Sequence, residues 1–326
     1  VTQPDAVPGL RRAELAVMAS VVLFALGFAA LAGWGGGRQS WDIVQRVPLR
    51  IVPVLLGLSL VNYTMRGGRW LLFSRALRLG VPAASNALYY VAGFAMTTTP
   101  GKMGEMIRLY LLKRFHACHY ERTAPLLIAD RLSDGIATTL VVAATVAFYA
   151  HHPQGAAGAW ALAACLVAVC LFPRMLLPVI GGVFARLRRW PRAFVRARRA
   201  VRGLQSLADP RLFMAALVLG AIGWTSEGLS FYVLLHGLGV ALGPGACIFI
   251  FAFSMLVGAA SFLPGGLGSA EAAMVGLLTL QGVHVRTALV ATGLIRITTL
   301  WFAVGLGLLA LPVALSGAGR KAVAVA

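Results

Sequence analysis

The residues with chemistry to offer are few and unusually placed. Of ten acidic residues, five (Glu105, Asp130, Asp134, Glu227 and Glu271) sit inside apolar stretches. Four of the 29 basic residues do the same: Lys102, Arg108, Arg131 and Arg296, with Arg131 and Arg296 deepest. A charge at the centre of a bilayer costs about 2.5–3.5 kcal/mol on insertion scales unless it is paired or hydrated. Such groups are therefore candidates for binding, ion pairing or proton exchange. Arginine presents a planar fork that grips phosphate. Asp130, Arg131 and Asp134 lie on one segment, and the one-turn spacing of Arg131 and Asp134 lets them pair. Glu105 and Glu271 each follow a glycine-rich break at the expected start of a helix. There the helix dipole favours negative charge, and free backbone N–H groups can hold an anion.

Two roles are open to these groups. Glu105–Arg131 and Glu271–Arg296 can be ion pairs locking neighbouring segments. Alternatively, the Arg and N–H groups bind an anionic headgroup while Glu exchanges protons or meets a cationic group. So many buried charges exceed what packing alone requires, which favours a functional cavity.

The breaks resemble each other. The first reads Pro100-Gly101-Lys102-Met103-Gly104-Glu105, the second Pro264-Gly265-Gly266-Leu267-Gly268-Ser269-Ala270-Glu271. Pro removes a backbone donor and Gly tolerates the bend. Downstream, Ile128-Ala-Asp-Arg131-Leu matches Gly293-Leu-Ile-Arg296-Ile. Upstream, Leu77-Arg-Leu-Gly80-Val matches His236-Gly-Leu-Gly239-Val. The pattern indicates an internal duplication.

Composition defines the elements that must carry these groups. Over 326 residues, 59% are hydrophobic and 12% charged, with a mean hydropathy of +0.82. Soluble domains carry about 25% charge, so the chain is an integral membrane protein. Its fold is all-α and polytopic, a single membrane domain over 1–326. Six apolar runs reach the roughly 20 residues of a spanning helix: 14–34, 51–68, 123–149, 157–179, 212–236 and 286–312. Run 14–34 lacks a small-residue cleavage site and reads as a retained helix. Segments 84–112 and 246–281 are broken at the motifs above and read as re-entrant hairpins. Irregular backbone at membrane depth needs a protein-lined or wet cavity. Helix, hairpin and helix thus occur twice, over 51–149 and 212–312, joined by a connecting helix and basic segment over 150–211. Span parity makes the repeats inverted, as in many secondary transporters.

Charge sets the orientation. With the N-terminus cytoplasmic, 21 basic residues, Arg66 and Arg69 among them, fall in cytoplasmic segments and four in outer loops. That satisfies the positive-inside rule and places both termini in the cytoplasm. Ten arginines between Arg174 and Arg211 form a basic loop or a surface-lying amphipathic helix. No recognition module accompanies this charge, so it does not indicate nucleic acid. The four cysteines have no metal or disulfide spacing. No phosphate loop, HExxH or GxSxG motif occurs. No cofactor or metal is expected.

Together Arg69-Trp70, Pro100 to Glu105 with Arg108, the Asp130-Arg131-x-x-Asp134 segment, Glu227, and Pro264 to Glu271 with Arg296 are distinctive. Over about residues 14–312 the chain resembles the transmembrane region of lysylphosphatidylglycerol synthases, including the flippase domain of the multiple peptide resistance factor. The resemblance implies a multi-pass protein of the bacterial cytoplasmic membrane that moves lipids between leaflets. Synthase members carry a soluble aminoacyl-transferase domain after the membrane part. This sequence carries none, so lipid aminoacylation is not expected. The expected function is ATP-independent translocation of a phospholipid or polyprenyl-linked anionic headgroup. Arg131 and Arg296 would engage phosphate, and Glu105 and Glu271 would organise the cavity or couple protons, with Arg108, Asp130, Asp134 and Glu227 completing the site. Pro100, Gly101, Gly104, Pro264, Gly265 and Gly268 would permit the breaks. An intramembrane lipid-modifying enzyme using Asp130, Asp134 or Glu, and a non-catalytic partner of a lipid-synthesis enzyme, are the alternatives. Oligomeric state is left open.

Overall fold

The computed structural model describes residues 37–98, 106–149, 209–261 and 263–316, together with Ala157, Ala161, Ala164 and Leu207. Every regular element among them is helical. The run 14–34, the first break with Glu105, the run 157–179 apart from three isolated residues, and the basic stretch before Leu207 lie outside the described residues.

Helix α1 covers Gly37–Gln45. Helix α2 covers Val52–Ala76, with a proline in its first turn, where a missing N–H costs nothing. It runs beyond the expected limit of 68. Two short helices follow. Helix α3 spans Ala83–Ala92 and tightens into a 3-10 turn at Gly93–Met96; helix α4 spans Met106–His116. Helix α5 then runs from Tyr120 to Tyr149. The order repeats in the second half. Helix α6 spans Pro210–Gly237, α7 Pro244–Ala260 and α8 Ser269–Leu280, with a 3-10 turn at Pro264–Gly266 between the last two. Helix α9, Val285–Arg296, continues through a π turn at Ile297–Trp301 into α10, Phe302–Leu315. The second break falls where the sequence places it. Helix α6 and the run Val285–Leu315 are each long and apolar enough to cross a membrane.

The two series share their helix ends as well as their order. Helix α2 closes with Arg78 at φ +48°, and α6 with Gly239 at φ +78°. In both, the left-handed residue bonds back three positions and its successor bonds back five: Leu79 N to Ser74 O at 3.3 Å, Val240 N to Leu235 O at 2.9 Å. This satisfies carbonyls that a helix end leaves bare. Helices α4 and α8 likewise end before Ala117 at φ +52° and Gly282 at φ +80°. The registers are 161 positions, from Arg78 to Gly239, and 165, from Ala117 to Gly282. This shifts the upstream match by two: Arg78, not Gly80, is opposite Gly239. The match of Arg131 with Arg296 keeps its place in the second register.

Packing is exchanged between the halves. Helices α2 and α6 cross each other at the centre. The 3-10 turn after α3 lies against α10, while α7 lies against α5. Each hairpin therefore rests on the last helix of the other half. A Cβ built on Gly307 of α10 would fall 2.1 Å from the Ala95 nitrogen, so only glycine permits that approach. One apolar core gathers the first hairpin with Ala303 and Ala314 of α10. A second gathers Phe231, Phe251, Met274 and Ile295 around the second hairpin.

Candidate functional site: a buried arginine–carboxylate network

Helices α2 and α5 bring most of the predicted charges together. Asp130 and Arg69 are fully buried. Arg69 donates from Nε to Asp130 Oδ1 at 3.0 Å, and from Nη2 to Asp134 Oδ1 at 3.0 Å. Arg66 Nη2 meets Asp134 Oδ2 at 3.1 Å, and Arg131 Nη2 meets Asp130 Oδ2 at 2.8 Å. Trp224 of α6 donates its indole N–H to Asp134 Oδ1 at 3.3 Å, and its ring lies under the Arg66 guanidinium. Arg108 of α4 stands 4.0 Å from Asp130 and packs over the rings of Trp70, Tyr90 and Phe94. A guanidinium is weakly hydrated and stacks well on aromatic faces, which suits this buried position.

The geometry corrects two expectations. Arg66 and Arg69, placed among the solvated cytoplasmic residues, are held inside the helix pair by two carboxylates. Arg131 bonds to its neighbour Asp130, while Asp134 one turn away takes Arg66 and Arg69, whose forks reach across from α2. The missed signal is a polar stripe on α2. Ser59, Asn62, Arg66 and Arg69 recur at three- and four-residue steps, which is one helix face.

The second centre is smaller. Arg296 Nε lies 2.5 Å from Glu271 Oε1, Nη2 donates to the Gly265 carbonyl at 2.9 Å, and Nη1 approaches the Met255 sulfur at 3.5 Å. The other carboxylate oxygen of Glu271 accepts the Gly268 backbone N–H at 2.7 Å. One carboxylate thus caps its own helix and grips α9, tying the break to the long helix. Gly265 and Gly268 take positive φ there. Pro100, Gly101, Gly104 and Glu105 lie outside the described residues, so the pairing of Glu105 with Arg131 does too.

Glu227 on α6 is buried between the two centres. Asn62 stands beside its carboxyl group, and Arg66, Arg296 and Asp134 are its charged neighbours. Asn62 and Ser59 are both fully buried on one face of α2. Asn62 and Glu227 thus join the network across the α2–α6 crossing.

Accessibility divides the arginines. Arg69 and Arg108 are sealed, whereas the Arg66 and Arg131 side chains keep 16% and 24% of their surface. The first pair is fixed by carboxylates and rings; the second lies at the partly exposed edge of the network.

Two long apolar helices packed with a largely buried charge network are consistent with a helical membrane protein. The chain belongs to the family described as the lysylphosphatidylglycerol synthase TM region, which it matches over residues 15–307. It is also similar to proteins of Methanothermobacter thermautotrophicus described as UPF0104 membrane proteins. One is 21% identical over 318 residues, covering 89% of this chain and 94% of the relative. Another match, of the same description, is 37% identical over 90 residues, covering 28% of this chain and 27% of the relative.

Proposed function

We propose that the chain moves an anionic lipid headgroup, on a phospholipid or a polyprenyl carrier, between leaflets without ATP. The observation carrying this reading is that the Arg66 and Arg131 side chains keep part of their surface exposed, while Arg69, Arg108 and Asp130 of the same network are buried. Asp130 and Asp134 fix both forks from behind, which lowers the ordering cost of gripping a phosphate. Arg296 is held on three sides by Glu271, Gly265 and Met255. Its role in this reading is to hold the second break, with Glu271 as the cavity's organiser. Arg108, Asp130 and Asp134 position the binding pair.

The repeated helix order and the exchanged packing support two inverted repeats with opposed re-entrant hairpins, within six spans. In this reading the protein lies in the cytoplasmic membrane with both termini cytoplasmic. The family to which the chain belongs supports a lipid as the cargo.

Reconstitution tests the proposal. Vesicles holding the purified chain should equilibrate a fluorescent phosphatidylglycerol between leaflets, and protein-free vesicles should not. Arg131→Ala and Arg66→Ala should each slow the exchange about tenfold or more, the scale of one lost charge-assisted hydrogen bond. Lys at either position should restore only part of it. Alanine variants that fold and exchange lipid at the wild-type rate would remove these arginines from the site.

A further inference from the structure

Glu227 occupies, in the second series, the place that Arg66 holds in the first. The register from Arg78 to Gly239 sets Arg66 opposite Glu227 and Tyr63 opposite Trp224. The register from Ala117 to Gly282 sets Asp134 opposite Thr299 and Arg131 opposite Arg296. Contacts follow the same exchange. The Trp224 indole N–H donates to Asp134, and the Tyr63 hydroxyl donates to the Thr299 carbonyl. Arg66 has Arg131 as a charged neighbour, and Glu227 has Arg296. One frame thus presents a cation on one side and a carboxyl group on the other.

The carboxyl group is held differently from every other described acid in the network. Asp130, Asp134 and Glu271 each contact an arginine within 3.1 Å. Glu227 forms no ion pair among the described residues; the neutral Asn62 stands beside it, Ser59 is buried on the same helix, and Arg66 and Arg296 are its cationic neighbours. The groups that face it are few. Helix α2 supplies Tyr63 and Arg66, α5 supplies Asp134 and α9 supplies Arg296. Helix α7 has no charged residue along its length, and its one titratable group is the buried Cys247 thiol. The turn Leu49–Ile51 packs at the far end of α6, beside Gly237. A buried carboxylate without a contacting cation is relieved by taking up a proton.

We propose that Glu227 is the proton-exchanging group that couples headgroup movement to a proton gradient, an inference that rests on the lipid reading above. An anionic headgroup on Arg66 and Arg131 neutralises the field that favours the Glu227 carboxylate. A proton then binds at a Glu227 carboxylate oxygen, taken from water on the loading side and returned to water on release, with no covalent bond broken. Headgroup and proton favour each other's binding, so they travel in the same direction.

Two measurements on the full chain test this. Infrared titration in detergent should show a protonated carboxyl band that appears with falling pH. The band should be lost in Glu227→Gln, moved in Glu227→Asp, and shifted to higher pH by added phosphatidylglycerol. In vesicles, a pH difference of one unit should skew fluorescent phosphatidylglycerol between leaflets by up to about tenfold, for one proton per lipid. The skew should vanish in Glu227→Gln. A band that never titrates, one that persists in Glu227→Gln while Glu227→Asp leaves it unmoved, or a skew that survives Glu227→Gln would overturn the proposal. If the band behaves as expected but no lipid moves, the proton site stands and the lipid reading fails.

Discussion

Asp130 is the point at which the buried network is most exposed to damage. Its Oδ1 accepts from Arg69 Nε and Nη2 at 3.0 and 2.9 Å, its Oδ2 accepts from Arg131 at 2.8 Å, and Arg108 stands at 4.0 Å. Asp130→Asn preserves the shape and removes the charge that offsets these cations. Arg69 is fully buried and retains only Asp134. Breaking a buried pair by removing one partner costs about 3–5 kcal/mol, and Asp130→Asn should fall in that range. A double-mutant cycle apportions the loss. With Arg69→Met the coupling to Asp130 should be about 2–3 kcal/mol, at the upper end for residues in one network. With Arg131→Met it should be about 0.5–1 kcal/mol, because Arg131 is partly solvated and its pair is screened. The assay is reversible denaturation in mixed micelles, followed by tryptophan fluorescence. Equal couplings, or an Asp130→Asn protein as stable as the parent, would refute the assignment of Arg69 as the buried anchor.

The same assay checks three further expectations. Arg78→Gly and Ala117→Gly should each stabilise by roughly 0.5–1 kcal/mol, since both exposed residues hold positive φ where glycine sits without strain. Gly307→Ala should destabilise by about 1–3 kcal/mol, because its methyl would strike the Phe94–Ala95 backbone. The Cys118 thiol, in the α4–α5 connection, is buried, and burial pushes its ionisation up against the smaller opposing pull of Arg122. Alkylation of the folded protein should therefore be slow at neutral pH and accelerate only above the ordinary thiol range, whereas unfolded protein reacts at the ordinary rate.

How much of this was legible in the sequence depends on whether the cue was local. The second break was readable because Pro264 and the following glycines disrupt a helix by themselves. The Glu271–Arg296 pair was readable because each residue stands alone in an apolar run, with one other to meet. Arg66 and Arg69 were misplaced because hydropathy falls at the end of an apolar run whether the helix stops or merely turns a polar face inward. Their carboxylate partners lie more than sixty residues away in sequence. Trp224 had no local signature at all. An indole in an apolar helix reads as core, and its bond to Asp134 exists only because α6 crosses α2 and α5.

That crossing explains why one frame can carry two unlike centres. The first series places Arg66, Arg69 and Arg131 around Asp130 and Asp134; the second places Glu227, Ser230, Arg296, Ile295 and Thr299 in the matching registers. Only the arginine of the Arg131–Arg296 match is common to both. Had both halves kept the first set, six arginines and four aspartates would crowd the α2–α6 crossing, each needing desolvation and a partner. Had both kept the second set, the partly exposed Arg66–Arg131 pair on which the proposed binding rests would be absent. The difference leaves the first half as the cationic centre and the second as a locked break, with a carboxyl group beside it. The shared helix ends preserve the geometry through which Trp224 and Tyr63 each reach into the opposite half. A chain with a repeated helix order and asymmetric charge therefore has its two centres in electrostatic contact through Arg66 and Glu227, the link on which the proposed coupling depends.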